Sequence, residues 1–356
     1  NATGGTLTST TIASNATEVV QLQYTITSSE NDASGKHYER FSLLGVEAGN
    51  LIGTSAFVPS SVVNVNSSGT LIREYASTTT MQANMGLCFA NDTNEIYHII
   101  SSATVSGATG VHTIAVWDIA SSTQTRTLKL NSADSASATT SFQASAGNTF
   151  SNIAYAKGIL ALTNQSATNA VVKTKWFINA VTNEVITSLV FATGNSTVNP
   201  VIADQEHGRF FFTQGSTASQ DSLCTTTTGG VLWYATGAVQ NWQGYCYDYT
   251  NDEFLAGAAS STNTSVSIRR YAGNNGTINL DFTITGAWTT FNGSPSMRLT
   301  IHPTQGEYWG FRTVGPSGTV YQRTNRVTSG IGTQLFDTTI NFGVITNSVI
   351  TIQVAY

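Results

Sequence analysis

Apolar residues along this chain come in short runs broken by Gly, Asn, Ser and Thr. No stretch carries apolar residues at i, i+3, i+4 and i+7 over three turns, so the pattern predicts no amphipathic helix. Runs rich in Val, Ile, Phe and Tyr predict strands, and the polar breaks between them predict turns. One arrangement recurs: an apolar strand ends in a polar residue, a short turn follows, and a second apolar strand begins. It reads FSLLGVEAGNLIGT over Phe41–Thr54, LCFANDTNEIYHII over Leu87–Ile100 and IAYAKGILALT over Ile153–Thr163. It returns as VIADQEHGRFFFT over Val201–Thr213, YCYDYTNDEFLAG over Tyr245–Gly257 and LTIHPTQGEYWGF over Leu299–Phe311.

A second kind of hairpin follows each of these. The clearest is TIAVWDIASSTQTRTLKL over Thr113–Leu130, with counterparts starting at Val62, Lys173 and Ser267. VLWYATGAV from Val231 and TVYQRTNRVTSGIGTQLF from Thr319 are weaker copies. Each unit therefore holds four strands. With Glu47, Asn91, Ala156, Asp204, Asp248 and His302 as equivalent positions, the spacings are 44, 65, 48, 44 and 54. The long one contains an Ala/Ser/Thr insertion from Asn131 to Thr149. A period in the forties with four strands per unit predicts an all-β protein of β-propeller type rather than a solenoid.

At this level the chain resembles the β-propeller superfamily, of the WD40 or YVTN kind. Val116–Trp117–Asp118 matches the WD dipeptide that closes a strand, but no other unit repeats it, and the GH that opens WD40 repeats is missing. The resemblance covers residues 36–340 and implies architecture only; it carries over no functional residue.

Both flanks, 1–35 and 341–356, are strand-like. VVQLQYTITSS from Val19 and VITNSVITIQVAY from Val344 alternate well. A propeller whose two termini share one blade loses an exposed edge. The favoured count is therefore seven four-stranded blades, the last composite from 1–35 and 341–356. The alternative is six blades plus a terminal β element donated to another chain, which would gain a ladder of backbone hydrogen bonds there.

Composition narrows the compartment and the partners. Charged residues make up 10% of the chain, against roughly 25% in an ordinary soluble domain. Ser and Thr supply about a quarter of the residues, so surface polarity comes from hydroxyls and amides. A net charge of −5 and scattered basic residues exclude nucleic acid as a partner. No apolar run is long enough for a membrane helix. The chain begins at Asn1 rather than Met, as expected of a mature secreted form. Cys88, Cys224 and Cys246 lack zinc-site spacing. In an oxidising compartment Cys224 and Cys246 are the candidate disulfide; three unpaired core cysteines are the alternative.

Candidate chemistry is sparse. Glycosylation sequons stand at Asn1, Asn15, Asn66, Asn91, Asn164, Asn195, Asn263, Asn275 and Asn292, a number that chance nearly supplies in so Ser/Thr-rich a chain. Asn66, Asn91, Asn195, Asn263 and Asn275 fall in predicted turns, where a glycan projects into solvent. Asp204, Glu206 and His207 form the densest polar cluster. It reads as a cation or acid/base site, or more simply as a turn in which Asp204 satisfies backbone amides and Gly208 bends the chain. Asp248, Asp252 and Glu253 repeat the pattern. The five histidines share no spacing, and neither a GxSxG nor a phosphate-binding Gly loop occurs. No cofactor is expected.

Trp233, Tyr234, Trp242, Tyr245, Tyr247 and Tyr249 crowd one unit. Trp233 and Trp242 are the candidates to stack on sugar rings, although alternation turns about half of the group into the core. Three functions fit. The first is a non-enzymatic extracellular structural protein, a self-assembling subunit of a surface filament or sheath joined by terminal strand exchange, whose partner is further copies of itself. The second is a secreted propeller that binds surface glycans. The third is an enzyme with its site at the axial mouth.

Overall fold

Each repeated run quoted above that lies among the described residues is a pair of strands, and those residues contain no helix. The computed structural model describes residues 51–54, 61–65, 71–76, 86–102, 111–131, 149–165, 174–190, 201–216, 219–236, 244–259, 265–285, 298–301, 307–313, 319–325, 330–331, 334–340 and 352–354. The chain divides into two units, Asn1–Leu43 and Leu44–Tyr356, and every described residue belongs to the second. No helix among them is long and apolar enough to cross a membrane.

The described strands form six antiparallel sheets of strand order a-b-c-d. Sheet I consists of Ile352–Val354, Leu51–Thr54, Ser61–Val65 and Leu71–Ala76. Sheet II holds Leu87–Ala90, Glu95–Ser102, Val111–Asp118 and Thr123–Asn131, and sheet III holds Thr149–Ala156, Ile159–Gln165, Thr174–Asn179 and Val185–Val190. Sheet IV is Val201–Asp204, Arg209–Ser216, Ser219–Thr226 and Val231–Ala235. Sheet V is Gly244–Asp248, Glu253–Ala259, Ser265–Ala272 and Ile278–Thr285, and Gly330–Ile331 is added in parallel on its outer edge. Sheet VI is Arg298–Ile301, Glu307–Thr313, Thr319–Asn325 and Gln334–Ile340.

The a strands neighbour one another in a closed circuit, from sheet II through III, IV, V and VI to Ile352–Val354 of sheet I and back to sheet II. Sheet I is thus composite: Leu51 pairs with Val354 and Gly53 with Ile352, so the chain's last strand fills the a position. Six sheets stand among the described residues; the composite seventh blade favoured from sequence draws on 1–35 as well as 341–356. Residues 1–35 lie outside the described residues, as does Phe41–Asn50 of the first repeat.

The inner strands of sheets II to V bury both faces, which is why they read as near-continuous apolar runs rather than strict alternation. Side-chain direction reverses at each residue of a strand. Trp176 and Ile178 of sheet III therefore pack toward Tyr97, Ile99 and Val116 of sheet II, while Phe177 packs toward Phe210 and Phe212 of sheet IV. Phe211, between those two, points the opposite way and stacks on Phe254 of sheet V at 4.9 Å between ring centres. One Phe-Phe-Phe run thereby locks sheet IV to both neighbours.

The turns repeat as faithfully as the core. In sheets II to V the a–b turns carry Asn94, Lys157–Gly158, Gly208 and Asp252 at positive φ, and the c–d turns carry Ser122, Asn183, Gly229 and Gly276. In all six sheets the c–d pairing shifts register near this turn, at Val65, Trp117, Ile178, Thr225, Tyr271 and Thr324. A left-handed residue followed by a bulge bends and twists the outer hairpin. Sheet IV departs from the expected hairpin at VLWYATGAV: its c strand is Ser219–Thr226. Buried but polar Asp221, Ser222 and Thr225 leave only Leu223 and Cys224 as apolar markers there.

Candidate functional site

The polar cluster anticipated at Asp204 is a turn, and it extends into the next sheet. Asp204 ends strand a of sheet IV, and its Oδ1 accepts the backbone N–H groups of Glu206 and His207, each at 3.1 Å. That double capping, with Gly208 at φ +69°, folds the chain back so that Arg209 lies opposite Asp204 in the ladder. Arg209 Nε then donates to Asp204 Oδ2 at 2.7 Å, and His207 Nδ1 lies 2.9 Å from the same oxygen.

The guanidinium reaches across to sheet V. It donates to the Tyr247 hydroxyl at 3.0 Å and to Asp252 Oδ1, which also accepts from Tyr247 at 2.7 Å. The Tyr247 and Phe254 rings lie 5.9 and 5.8 Å from the guanidinium carbon. Burial works against the Arg209 charge, but the hydrogen bonds to Asp252 and Asp204 outweigh it and hold its pKa above the usual value. Burial, then the bond to Asp252, pushes the Tyr247 phenol up as well.

Asp204, His207 and Asp252 each offer a ligand atom within 4.8 Å of the others, a set that suits a divalent cation. Arg209 already supplies a positive charge to both carboxylates, so the arrangement works as an ionic latch between sheets IV and V. Gly273 belongs to the latch: a Cβ there would come within 2.1 Å of Asp252 Oδ1 and 2.9 Å of the guanidinium nitrogens. The second expected cluster is likewise saturated. Asp248 accepts from Thr250 N and Asn251 Nδ2, while Glu253 receives Arg270 and Asn279.

Gln205 makes a longer connection. Its Nε2 donates to the Phe89 carbonyl at 2.6 Å and its Oε1 accepts the Asn91 N–H at 2.8 Å, tying the a–b turn of sheet IV to that of sheet II. The turn of sheet III, which lies between these two in the circuit, is only the two residues Lys157–Gly158. Sequence reading missed both this tie and Arg209–Asp252. Arg209 and Glu253, each five residues past the capping Asp204 or Asp248, were the available signal.

Trp233 is not placed to hold a sugar. It is 7% exposed, and Phe211, Phe254 and Tyr271 surround its ring, the last stacked at 6.0 Å. Its indole N–H donates to the Gly273 carbonyl. Alternation put it on the inter-sheet face, which corrects the stacking assignment; Tyr234 is turned outward instead. Trp242 lies outside the described residues.

The disulfide expected between Cys224 and Cys246 is not formed: both are buried thiols, as is Cys88. Cys224 packs with Tyr247, and Tyr245 borders the same cluster, so Cys246 between the two tyrosines points to the other face of its sheet. Burial pushes the Cys224 thiol up to about 12.

Of the sequons, Asn275 is exposed in the c–d turn of sheet V, and Asn91 is half-buried in the a–b turn of sheet II. Asn164 lies within a strand. Asn1, Asn15, Asn66, Asn195, Asn263 and Asn292 lie outside the described residues.

Among the described residues, six sheets, each with an antiparallel a-b-c-d core of four strands and with inner strands that close a circuit, define a β-propeller. Solved structures of that fold are similar to this chain. A chain of the nidogen/laminin complex matches with 9% identity over 85% of this chain and 97% of its own, at a TM-score of 0.52. A chain of the mitotic checkpoint complex matches with 11% identity over 89% and 88%, at 0.51. Identities this low speak to the fold alone. No family model and no curated protein matches the sequence.

Proposed function

We propose that this propeller is a non-enzymatic structural protein of the cell exterior, a subunit that assembles with copies of itself into a surface filament or sheath through its terminal strands. The observation that carries the reading is the outer margin of three consecutive sheets. Val181 and Ile186 of sheet III, Val231, Leu232 and Tyr234 of sheet IV, and Ile278 of sheet V all expose apolar side chains there. Exposed apolar side chains on the outer strands and turns of neighbouring sheets offer surface to other macromolecules, and the 10% charge content does little to oppose self-association. The densest polar clusters support the same reading, since the carboxylates of Asp204, Asp248, Asp252 and Glu253 are taken up by Arg209, Arg270, Asn251, Asn279 and backbone amides.

Electron microscopy of the purified protein tests it. Regular fibres or sheets are expected, and deletion of residues 1–30 is expected to leave a folded protein that does not polymerise. Discrete single propellers at every concentration would remove the reading and turn attention to glycan binding.

A further inference from the structure

We propose that the outer edge of sheet IV, strand Val231–Ala235, accepts a β-strand from a second copy of this chain, and that the donor is Val19–Ser28. The inference rests on the self-assembly reading above and names its joint.

The edge itself comes first. Val231–Ala235 is the last strand of its sheet, and no described strand lies against its outer side. Val231, Leu232 and Tyr234 are 54, 45 and 47% exposed, and VLWYA carries no charge. Proteins protect sheet edges from pairing with charged side chains, Lys above all. Sheet II does so: its outer strand reads TQTRTLKLN, with Arg126 and Lys129. The outer strand of sheet IV lacks that protection.

The unit also shows that its outer edges take additional strands. Gly330–Ile331 lies in parallel against the outer strand of sheet V, pairing with Ile284 and Thr285. A donated strand on sheet IV would repeat this contact from another molecule.

The donor follows from the remaining sequence. Residues 1–50 lie outside the described residues, and within them VVQLQYTITS over Val19–Ser28 is uncharged and strictly alternating from Val20. A period of two places Val20, Leu22, Tyr24 and Ile26 on one side and Gln21, Gln23, Thr25 and Thr27 on the other. The acceptor has a matching division. Trp233 and Ala235 are packed toward sheet V, so Leu232 and Tyr234 share the open side. Pairing the two strands would cover both apolar rows and leave the Gln/Thr row in water. Leu232 and Tyr234 stand exposed beside this edge, Tyr234 with its hydroxyl donating to Asp221 Oδ2, and none of the described strands occupies it.

The test uses the full-length chain. The variants Leu22→Lys and Leu232→Lys/Tyr234→Lys are compared with wild type by electron microscopy and light scattering, with circular dichroism reporting their folding. Wild-type fibres with monomeric variants are the expected result. Amide exchange adds a measurement that needs no edge variant: amides of Val231–Ala235 should exchange at least tenfold more slowly in wild-type fibres than in the Leu22→Lys monomer. Adding a Val19–Ser28 peptide to that monomer should restore the protection. Fibres from the edge variant but not from Leu22→Lys, or unchanged exchange at Val231–Ala235, would place the acceptor elsewhere and overturn this inference alone. Fibres from both variants would overturn donor and acceptor together. Wild-type protein that stops at monomers or dimers would overturn the assembly reading itself.

Discussion

Trp233 of sheet IV donates its indole N–H to the carbonyl of Gly273 in sheet V at 2.8 Å, so one side chain joins two sheets by packing and by a hydrogen bond. Gly276 sits so close that a Cβ there would lie 2.3 Å from the ring. Trp233→Ala should cost about 3–5 kcal/mol of stability, and Trp233→Phe, which keeps most of the packing but orphans the Gly273 carbonyl, about 1–3 kcal/mol. Denaturant unfolding followed by circular dichroism measures both. A Trp233→Ala protein as stable as wild type would return the residue to the surface.

Arg209 neutralises Asp204, which is fully buried, and Asp252, which is half-exposed. Arg209→Met should therefore destabilise by about 3–5 kcal/mol, since it leaves a buried carboxylate without its partner. Arg209→Lys should recover little, because one ammonium cannot reproduce the fork that contacts Asp204, Tyr247 and Asp252. Gly273→Ala should approach the same loss by pushing Asp252 off the guanidinium. If the triple replacement Arg209→Met, Asp204→Asn and Asp252→Asn is no more stable than Arg209→Met alone, unpaired charge is not the source of the loss.

Lys175 is buried between sheets III and IV, its Nζ has no hydrogen-bond partner, and burial lowers its pKa to about 7. Thr163 and Leu189 are its cross-strand neighbours. In the unfolded chain the amine holds its proton up to a pH of about 10.4. Between those values the unfolded state binds more protons, so stability rises with pH from about 7 to about 10, while the full penalty of burying the ammonium applies below about 7. Lys175→Met should raise stability by a few kcal/mol at pH 7 and below, with the gain shrinking toward pH 10. Unfolding curves at pH 6, 8 and 10 check this; a gain independent of pH would mean that Lys175 is uncharged throughout, or paired.

Burial of Cys88 and Cys224 raises both thiols, Cys224 to about 12. Thiolate is the reactive form, so the native protein should react very slowly with a disulfide reagent at pH 8. All three thiols should titrate once guanidinium unfolds the chain. A single reactive thiol after unfolding without reductant would reinstate a disulfide.

The sheets were legible because burial of both faces writes itself into the sequence as apolar runs of strand length, and because the a–b turn falls at the same place in Asn91, Ala156, Asp204 and Asp248. Strand Ser219–Thr226 was not legible, since Asp221, Ser222 and Thr225 are buried without being apolar. The Asp204 turn could be read locally from one Asp and one Gly. Its bond from Arg209 to Asp252 could not: it joins residues 43 positions apart through the spacing of two sheets, which no local pattern encodes. Trp233 shows the same division. Alternation allowed it to face inward, and only the aromatic residues of the neighbouring sheet show that the inward space is filled.

The described sequons differ in access, and occupancy should follow. Asn275 stands in the c–d turn of sheet V, exposed, with its Oδ1 accepting the Thr277 N–H at 2.9 Å. Asn91 is half-buried, its Oδ1 is enclosed, and its backbone is held by Gln205. A glycosyltransferase acting on the folded chain needs the side-chain amide in solvent, and Asn275 meets that requirement while Asn91 does not. Expression through a glycosylating secretory route, followed by peptide mass spectrometry, should find glycan on Asn275 and little on Asn91. Gln205→Ala, which releases the Asn91 turn, should raise occupancy there without changing Asn275. Equal occupancy at both sites in the wild-type protein would mean that the sugar is attached before sheets II and IV come together, and access in the folded propeller would then have no part in selecting the site.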